Sequence, residues 1–398
     1  MRRRAPRWSE VAGFAGPAFR RRDRLATLRT CADFQRAARR RTPRAVYDYV
    51  AGGAEREVSL ARSTAAFDDV VWHPHVLRDV AAVDPSTTVL GRPVAFPVVL
   101  GPTGFTRMMR AEGEPAVARA AGRAGVPYAL STVGTTSVER LAAQAPDAER
   151  WLQLYVMRDR GLTRSLLARA AESGFGTLVL TVDVPVSGAR LRDVHNGLTL
   201  PPSLSLRTLA DMARRPRWLW DALTTEPLAF ESLGAADELS SLINSVFDPS
   251  VTVADVEWLR TEWSGPLVVK GVLRVDDAKT VVAAGADAVA VSNHGGRQLD
   301  RAATALRVLP DVVDAVGADA EVYLDGGVRS GADVAAAVAL GARAAFVARP
   351  YLYALMAAGE AGVDHLLALL QADYVRTLQL LGVTSTAELD RDLVGWRP

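Results

Sequence analysis

From about residue 94 the chain alternates short apolar runs with amphipathic stretches. The runs cover residues 96–101, 127–131, 151–156, 177–183, 266–271, 287–293, 321–326 and 343–348. Each is close to continuous in apolar character, as strands buried on both faces of a parallel sheet must be. Between them, residues 113–125, 137–145, 162–173, 275–284, 303–316 and 331–341 carry the helical period. Strand–helix alternation repeated eight times predicts an α/β chain folded as a closed (β/α)₈ TIM barrel, with a doubly wound open sheet as the alternative.

One gap interrupts the rhythm, between Asp183 and Pro266. Thr252 to Trp263 reads as the fourth barrel helix with Thr252 at its N-cap. Residues 193–250 are then an insertion after strand four. Residues 360–381 form a further amphipathic helix closing the barrel. Ahead of the barrel, residues 28–52 predict an N-terminal helical segment broken at Pro43 and stopped at Gly52-Gly53. Residues 1–27, basic and rich in Gly and Pro, read as a flexible arm, leaving 28–398 as the barrel domain.

Composition narrows the function. A net charge of +2 gives no sign of nucleic-acid binding. Cys31 is the single cysteine, so neither an internal disulfide nor a cysteine metal cluster can form, and no metal site is expected. No apolar run reaches the ~18 residues needed to span a bilayer, and the N-terminal residues lack a signal-peptide core. The expected location is the cytoplasm, free or at the inner face of the cell membrane. Among 47 basic residues only Lys270 and Lys279 are lysines, and Lys270 sits inside an apolar run.

In such barrels the chemistry gathers at the C-terminal ends of the strands. There the sequence places Pro102-Thr103-Gly104, Ser131, Gln153 with Tyr155, Thr181 with Asp183 and Arg190, Lys270-Gly271, Ser292 to Arg297, Asp325 to Gly331, and Ala348-Arg349. Gly326, Gly327 and Gly331 with Arg329, together with the backbone at Ala348-Arg349, suit a phosphate held after strands seven and eight. Gly271 is read as room for a flat ligand. His294, flanked by glycines and Arg297, is the candidate base, with Asp183 able to pair with its imidazolium. Arg190 and Arg297 suit a forked grip on a carboxylate.

Ser292-Asn293-His294-Gly295-Gly296-Arg297-Gln298-Leu299-Asp300 resembles the signature of the FMN-dependent 2-hydroxy-acid oxidases and dehydrogenases. Tyr47-Asp48-Tyr49, Pro102-Thr103-Gly104, Gln153-Leu154-Tyr155, Thr181-Val182-Asp183, Val269-Lys270-Gly271 and Asp325 to Gly331 extend the resemblance from about residue 28 to the end. Within that family the chain looks most like bacterial respiratory L-lactate dehydrogenases. The resemblance implies FMN as cofactor and His294, Asp183, Tyr155 and Lys270 as catalytic residues. It implies that Tyr49, Tyr155, Arg190, His294 and Arg297 bind the substrate. For FMN it implies Pro102, Thr103, Gly104, Ser131, Gln153, Thr181, Lys270, Ser292, Asp325, Gly326, Gly327, Arg329, Ala348 and Arg349. It further implies a homo-oligomer, and no haem-binding domain is expected ahead of the barrel.

Three positions depart from parts of the family: Gly104 stands where several oxidases carry alanine, Val133 replaces an aromatic residue, and Ala348 replaces a usual glycine. The expected reaction is oxidation of a small L-2-hydroxy acid, foremost L-lactate to pyruvate, with electrons passing to a quinone or another acceptor. An oxygen-using oxidase of glycolate or a longer acid is the alternative, and a peptide-modifying flavoenzyme a further one. An isomerase is disfavoured by His294 with two arginines, and an inert binding barrel by the filled catalytic positions. In the insertion, Arg214 to Trp220 and Leu223 mix basic and aromatic groups. About 214–223 reads either as peripheral contact with an anionic membrane or as a helix packing its tryptophans on the barrel.

Overall fold

In a computed structural model, residues 25–197, 206–233 and 247–397 are described. Most of the basic arm and parts of the insertion (198–205 and 234–246) lie outside these. Eight parallel strands close into a barrel. They are β1 (Val98–Leu100), β2 (Tyr128–Ser131), β3 (Arg150–Leu154), β4 (Thr177–Thr181), β5 (Leu267–Val272), β6 (Ala288–Ser292), β7 (Glu321–Asp325) and β8 (Ala344–Val347). Each falls within or against a predicted apolar run; β2, β4, β6 and β8 are buried at every position, as a sheet covered on both faces requires.

Two apolar layers hold the barrel. Inside it, Phe346 packs edge-on against Trp151 and Tyr323, which are tilted to each other, with centroids 5.9–6.3 Å apart. Val89 and Val94, from the hairpin Thr87–Val89 and Arg92–Val94, join this cluster. Outside, the helices cover the sheet. The fourth barrel helix, Val253–Glu262, starts at a capping box of Thr252 and Asp255, where the sequence places its N-cap.

One barrel helix escapes a periodicity reading. Arg349–Ala358 follows β8 directly and is buried along nearly its whole length, so it has no polar face to reveal its period. The long helix Glu360–Leu381 packs against it and against the helices Gly331–Ala339 and Gly113–Arg123 as an outer layer.

The helical segment Cys31–Arg41, opened by a Thr30–Asp33 capping box, is followed by Arg44–Ala51, which begins after Pro43 and stops at Gly52. A third helix, Val58–Ala65, then leads to the barrel. In the insertion, helices Leu206–Ala213 and Pro216–Thr224 are described. Trp218 packs on the barrel and donates from Nε1 to Met108 O at 2.9 Å, whereas Trp220 and Leu223 are exposed. The packing reading thus holds for Trp218, while Trp220 and Leu223 stay on the surface. Among the described residues no helix is long and apolar enough to cross a membrane.

Candidate active site

Strand register brings the polar strand ends into facing rows. Ser131 pairs with Gln153, Thr181 with Lys270, and Ser292 with Asp325. A cavity opens above them, lined by the residues expected to bind or convert cofactor and substrate except Asp183 and Ser292, which bond to lining residues, while Gly271 and Gly331 also lie outside it.

At the centre is a buried cation network. Lys270 Nζ lies 2.6 Å from Asp325 Oδ2, and Ser292 Oγ accepts from Lys270 at 3.1 Å while donating to Asp325 at 2.6 Å. Burial alone would lower the Lys270 pKa, but the carboxylates of Asp325 and Asp183 outweigh it and the net direction is upward. Burial would raise Asp325, and the Lys270 ammonium outweighs that in turn. Both partners therefore shift towards the ionised pair.

His294 follows β6 in a left-handed conformation with φ 56°, which costs a non-glycine residue about 1–3 kcal/mol. Three contacts hold the turn. His294 N donates to Ser292 Oγ at 2.9 Å, Gly296 N donates to Asn293 Oδ1 at 3.2 Å, and His294 Nδ1 meets Asp183 Oδ1 at 2.9 Å. The last contact fixes the ring and leaves Nε2 as the nitrogen free to exchange a proton.

Gly271 has a different purpose from the one read in the sequence. It sits at φ 111° beside a register shift in β5, and a Cβ there would come within 2.6 Å of Asp183 Cγ. The glycine makes room for the acid rather than for a flat ligand. Gly331 is likewise required by packing, since a Cβ would lie 2.2 Å from Tyr374 N. At Gly327, φ is 86° and a Cβ would meet Ser63 O at 2.0 Å, although the residue also lines the cavity. At Gly326, φ is 110° and a Cβ would only touch Asn293 Oδ1 at 3.4 Å, so its backbone angle rather than crowding favours glycine there.

Cations gather at the other wall. The guanidinium carbons of Arg297 and Arg190 lie 4.9 and 5.5 Å from the Tyr49 ring centroid. Arg297 Nη1 donates to Tyr49 O at 2.6 Å, and Arg190 Nε stands 3.0 Å from Asp193 Oδ2. Burial and then the charge of Arg190 lower the Arg297 pKa. Arg349, donating to Val50 O at 2.8 Å and Gly52 O at 2.9 Å, is brought down to about 9 by burial and then by Arg297. An anion bound beside such buried cations would offset this shift. Burial, followed by the Asp183 charge, pushes the Tyr155 phenol upward.

The site also fits a polar heteroaromatic ring. Gln153 accepts from Ser131 Oγ at 3.0 Å through Oε1, yet its buried Nε2 has no protein partner, nor has Thr181 Oγ1. Such atoms are rarely left unpaired, so a ligand edge with matching acceptors and donors belongs there. With Lys270 in the same cavity, and Arg349 and Gly326 also lining it, the residues suit FMN.

Sequence reasoning missed several wall residues, including Phe105, Val184, Phe247 and Leu352. Phe105 directly follows Pro102-Thr103-Gly104 and could have been found, whereas nothing marked Phe247. It also missed Gln298, which donates to Asp183 O at 3.2 Å and Val186 O at 2.9 Å and so ties the segment after β4 to the histidine turn. Asp300 is structural, accepting from Ser59 N at 2.8 Å at the start of helix Val58–Ala65.

The family model described as FMN-dependent dehydrogenase matches residues 38–396. The chain is 49% identical over 394 residues to a putative L-lactate dehydrogenase of Mycobacterium tuberculosis, covering 98% of this chain and 95% of that one. It is 46% identical over 373 residues to an L-lactate dehydrogenase of Caulobacter vibrioides, covering 92% and 97%. A crystal structure of the monotopic membrane protein (S)-mandelate dehydrogenase superposes with a TM-score of 0.89 at 39% identity, covering 92% of this chain and 99% of that one. Fold, site and relatives agree: the chain belongs to the FMN-dependent dehydrogenase family and is an FMN-dependent 2-hydroxy-acid dehydrogenase.

Proposed function

We propose that this enzyme oxidises L-lactate to pyruvate and delivers the electrons to a quinone at a membrane surface. One observation carries the reading: the His294–Asp183 pair and the Arg190–Tyr49–Arg297 cluster line or back one cavity. Arg190 and Arg297, with Tyr49, hold the substrate carboxylate, and Tyr155 bonds the hydroxyl oxygen. His294 takes the proton through Nε2, and Asp183 stabilises the imidazolium that results. Lys270, kept charged by Asp325, places a positive charge where negative charge develops. Bound FMN supplies the two-electron acceptor. Thr103, Gly104, Ser131, Gln153, Thr181, Lys270 and Ser292 would surround its ring. Asp325, Gly326, Gly327, Arg329, Ala348 and Arg349 would hold its ribityl phosphate end, with Pro102 as a further contact.

Lactate is favoured by the relatives at 46% and 49% identity, an L-lactate dehydrogenase and a putative one. Membrane contact is supported by exposed Trp220, Leu223 and Leu209 alongside Arg214 and Arg217, and by the membrane-bound mandelate relative. A homo-oligomer completes the reading; Val76, Leu77 and Leu380 expose apolar side chains on segments joined by the His75 N–Leu381 O bond of 3.0 Å.

The test is anaerobic bleaching of the flavin with L- and D-2-hydroxy acids, followed by reoxidation with a short-chain quinone or with oxygen. L-lactate should bleach fastest and the quinone should restore the colour. Faster reoxidation by oxygen, with peroxide formed, would establish the oxidase instead. Cosedimentation with anionic vesicles should be lost in a Trp220→Glu, Leu223→Glu variant; unchanged binding would remove that segment from the membrane.

A further inference from the structure

We propose that Phe105 sizes the substituent on the carbon being oxidised, with Phe230 of the insertion as the positioning residue that holds it in place. The proposal rests on the hydroxy-acid reading above.

That carbon carries four groups. The carboxylate goes to Arg190, Arg297 and Tyr49, and the hydroxyl and hydrogen face the chemistry at His294. The fourth group is left to the apolar part of the wall. Beside the carboxylate grip this wall is Gly104, Phe105 and Val133. A Cβ on Gly104 would lie 2.7 Å from Val133 Cγ2 and 3.7 Å from Tyr49 Oη, so Gly104 and Val133 meet where the arginines' tyrosine ends. The Phe105 ring stands edge-on to Tyr49 at 5.8 Å and lines the cavity.

Phe105 has little freedom to yield. Its φ is 58°, left-handed for a non-glycine residue, and its N–H is tied to Val133 O at 3.2 Å. Behind it the buried Phe230 packs edge-on with centroids 4.8 Å apart. Phe230 is bolted to the barrel through Glu231. That carboxylate accepts from Arg140 at 2.9 Å, from Ser137 N at 3.1 Å and from the buried Arg107 at 3.4 Å. Arg107 also donates to Glu226 O at 2.9 Å. This end of the insertion therefore backs the pocket wall from outside the cavity, unlike the exposed helix that carries Trp220.

The experiment measures kcat/KM for L-lactate, L-2-hydroxybutyrate and L-2-hydroxyhexanoate in wild type, Phe105→Ala, Phe230→Ala, Phe230→Leu and Glu231→Gln. FMN content and Tm are followed in each. One methylene of pocket space changes selectivity by about 10- to 200-fold. The hexanoate-to-lactate ratio should therefore rise at least about tenfold in Phe105→Ala. Phe230→Ala and Glu231→Gln should move it the same way by less, with Phe230→Leu between alanine and wild type. Lactate kcat should hold in the Phe230 variants, which lie outside the cavity. Yellow, folded variants with the wild-type ratio would overturn the proposal. If Phe105→Ala loses its flavin, Phe230→Leu decides alone. A wild type that already favours the longest acid overturns the lactate reading but leaves the ratio between variants to judge the wall.

Discussion

Lys270 Nζ and Asp325 Oδ2 sit 2.6 Å apart on β5 and β7, bridged by Ser292 from the strand between them. Taking away one member leaves the other charge buried and unmatched, which typically costs about 3–5 kcal/mol. Lys270→Met and Asp325→Asn should each destabilise the apoprotein by that order in urea unfolding. The double variant should lose less than the two losses added together; simple additivity would show that the pair is not coupled.

The same pair sets a pH window. Asp325 is held below the usual carboxylate range, so its share of stability is lost only as pH falls through that lowered value, beneath about 3.9. Lys270 is raised, so its share is lost only as pH rises through a value above about 10.4. The stability gap between wild type and the Lys270→Met, Asp325→Asn double variant, in which neither group titrates, should be flat between these limits. A slope near neutrality in that gap would contradict the ionised pair.

His294→Asn should leave the protein yellow and cut kcat by at least the 10²–10⁴-fold typical of a lost acid–base group, a figure that is about the general case. Asp183→Asn should act in the same direction. Gly271→Ala should follow it, because the added methyl would sit 2.6 Å from Asp183 Cγ at a backbone angle of 111°. Stopped-flow flavin reduction reads all three; normal reduction in Gly271→Ala would sever the link between that glycine and the acid.

Arg297→Lys should raise KM for lactate by about 10- to 100-fold, since a point charge cannot fork onto a carboxylate. It also removes the 2.6 Å bond to Tyr49 O at the end of helix Arg44–Ala51. Steady-state kinetics with KM unchanged would take Arg297 out of the carboxylate grip.

Arg349 links cofactor to stability. Its pKa, about 9 in the fold, lies below the ordinary arginine value, so between the two the unfolded chain binds more protons. Apoprotein stability contributed by this group therefore rises with pH above about 9, and a bound phosphate should abolish that rise by keeping the cation charged. Arg349→Met should weaken FMN binding by about 10- to 150-fold, the worth of a hydrogen bond to a charged group. Fluorescence titration of the apoprotein with FMN would show an unchanged Kd if the arginine does not meet the phosphate.

The sequence showed much of the barrel because buried parallel strands are locally recognisable: all eight continuous apolar runs contain or abut a strand. It did not show helix Arg349–Ala358, whose polar face is missing. It also misread Gly271 and Gly331, because the atoms that demand a glycine there, Asp183 Cγ and Tyr374 N, come from elsewhere in the chain. Tryptophans two residues apart shared a fate in both alternatives offered for their segment, yet Trp218 is tied to Met108 while Trp220 faces outward.

What the chain alone determined is which polar groups end each strand, since apolar periodicity and its interruption are local properties. What only the tertiary structure decided is which of those groups meet. Barrel closure sets Thr181 beside Lys270 and Ser292 beside Asp325. It brings Asp183 to His294 across 111 residues, and packing of the insertion lays Phe230 against Phe105. Strand register and side-chain packing are long-range relations fixed by the whole core at once, and no window of sequence contains them.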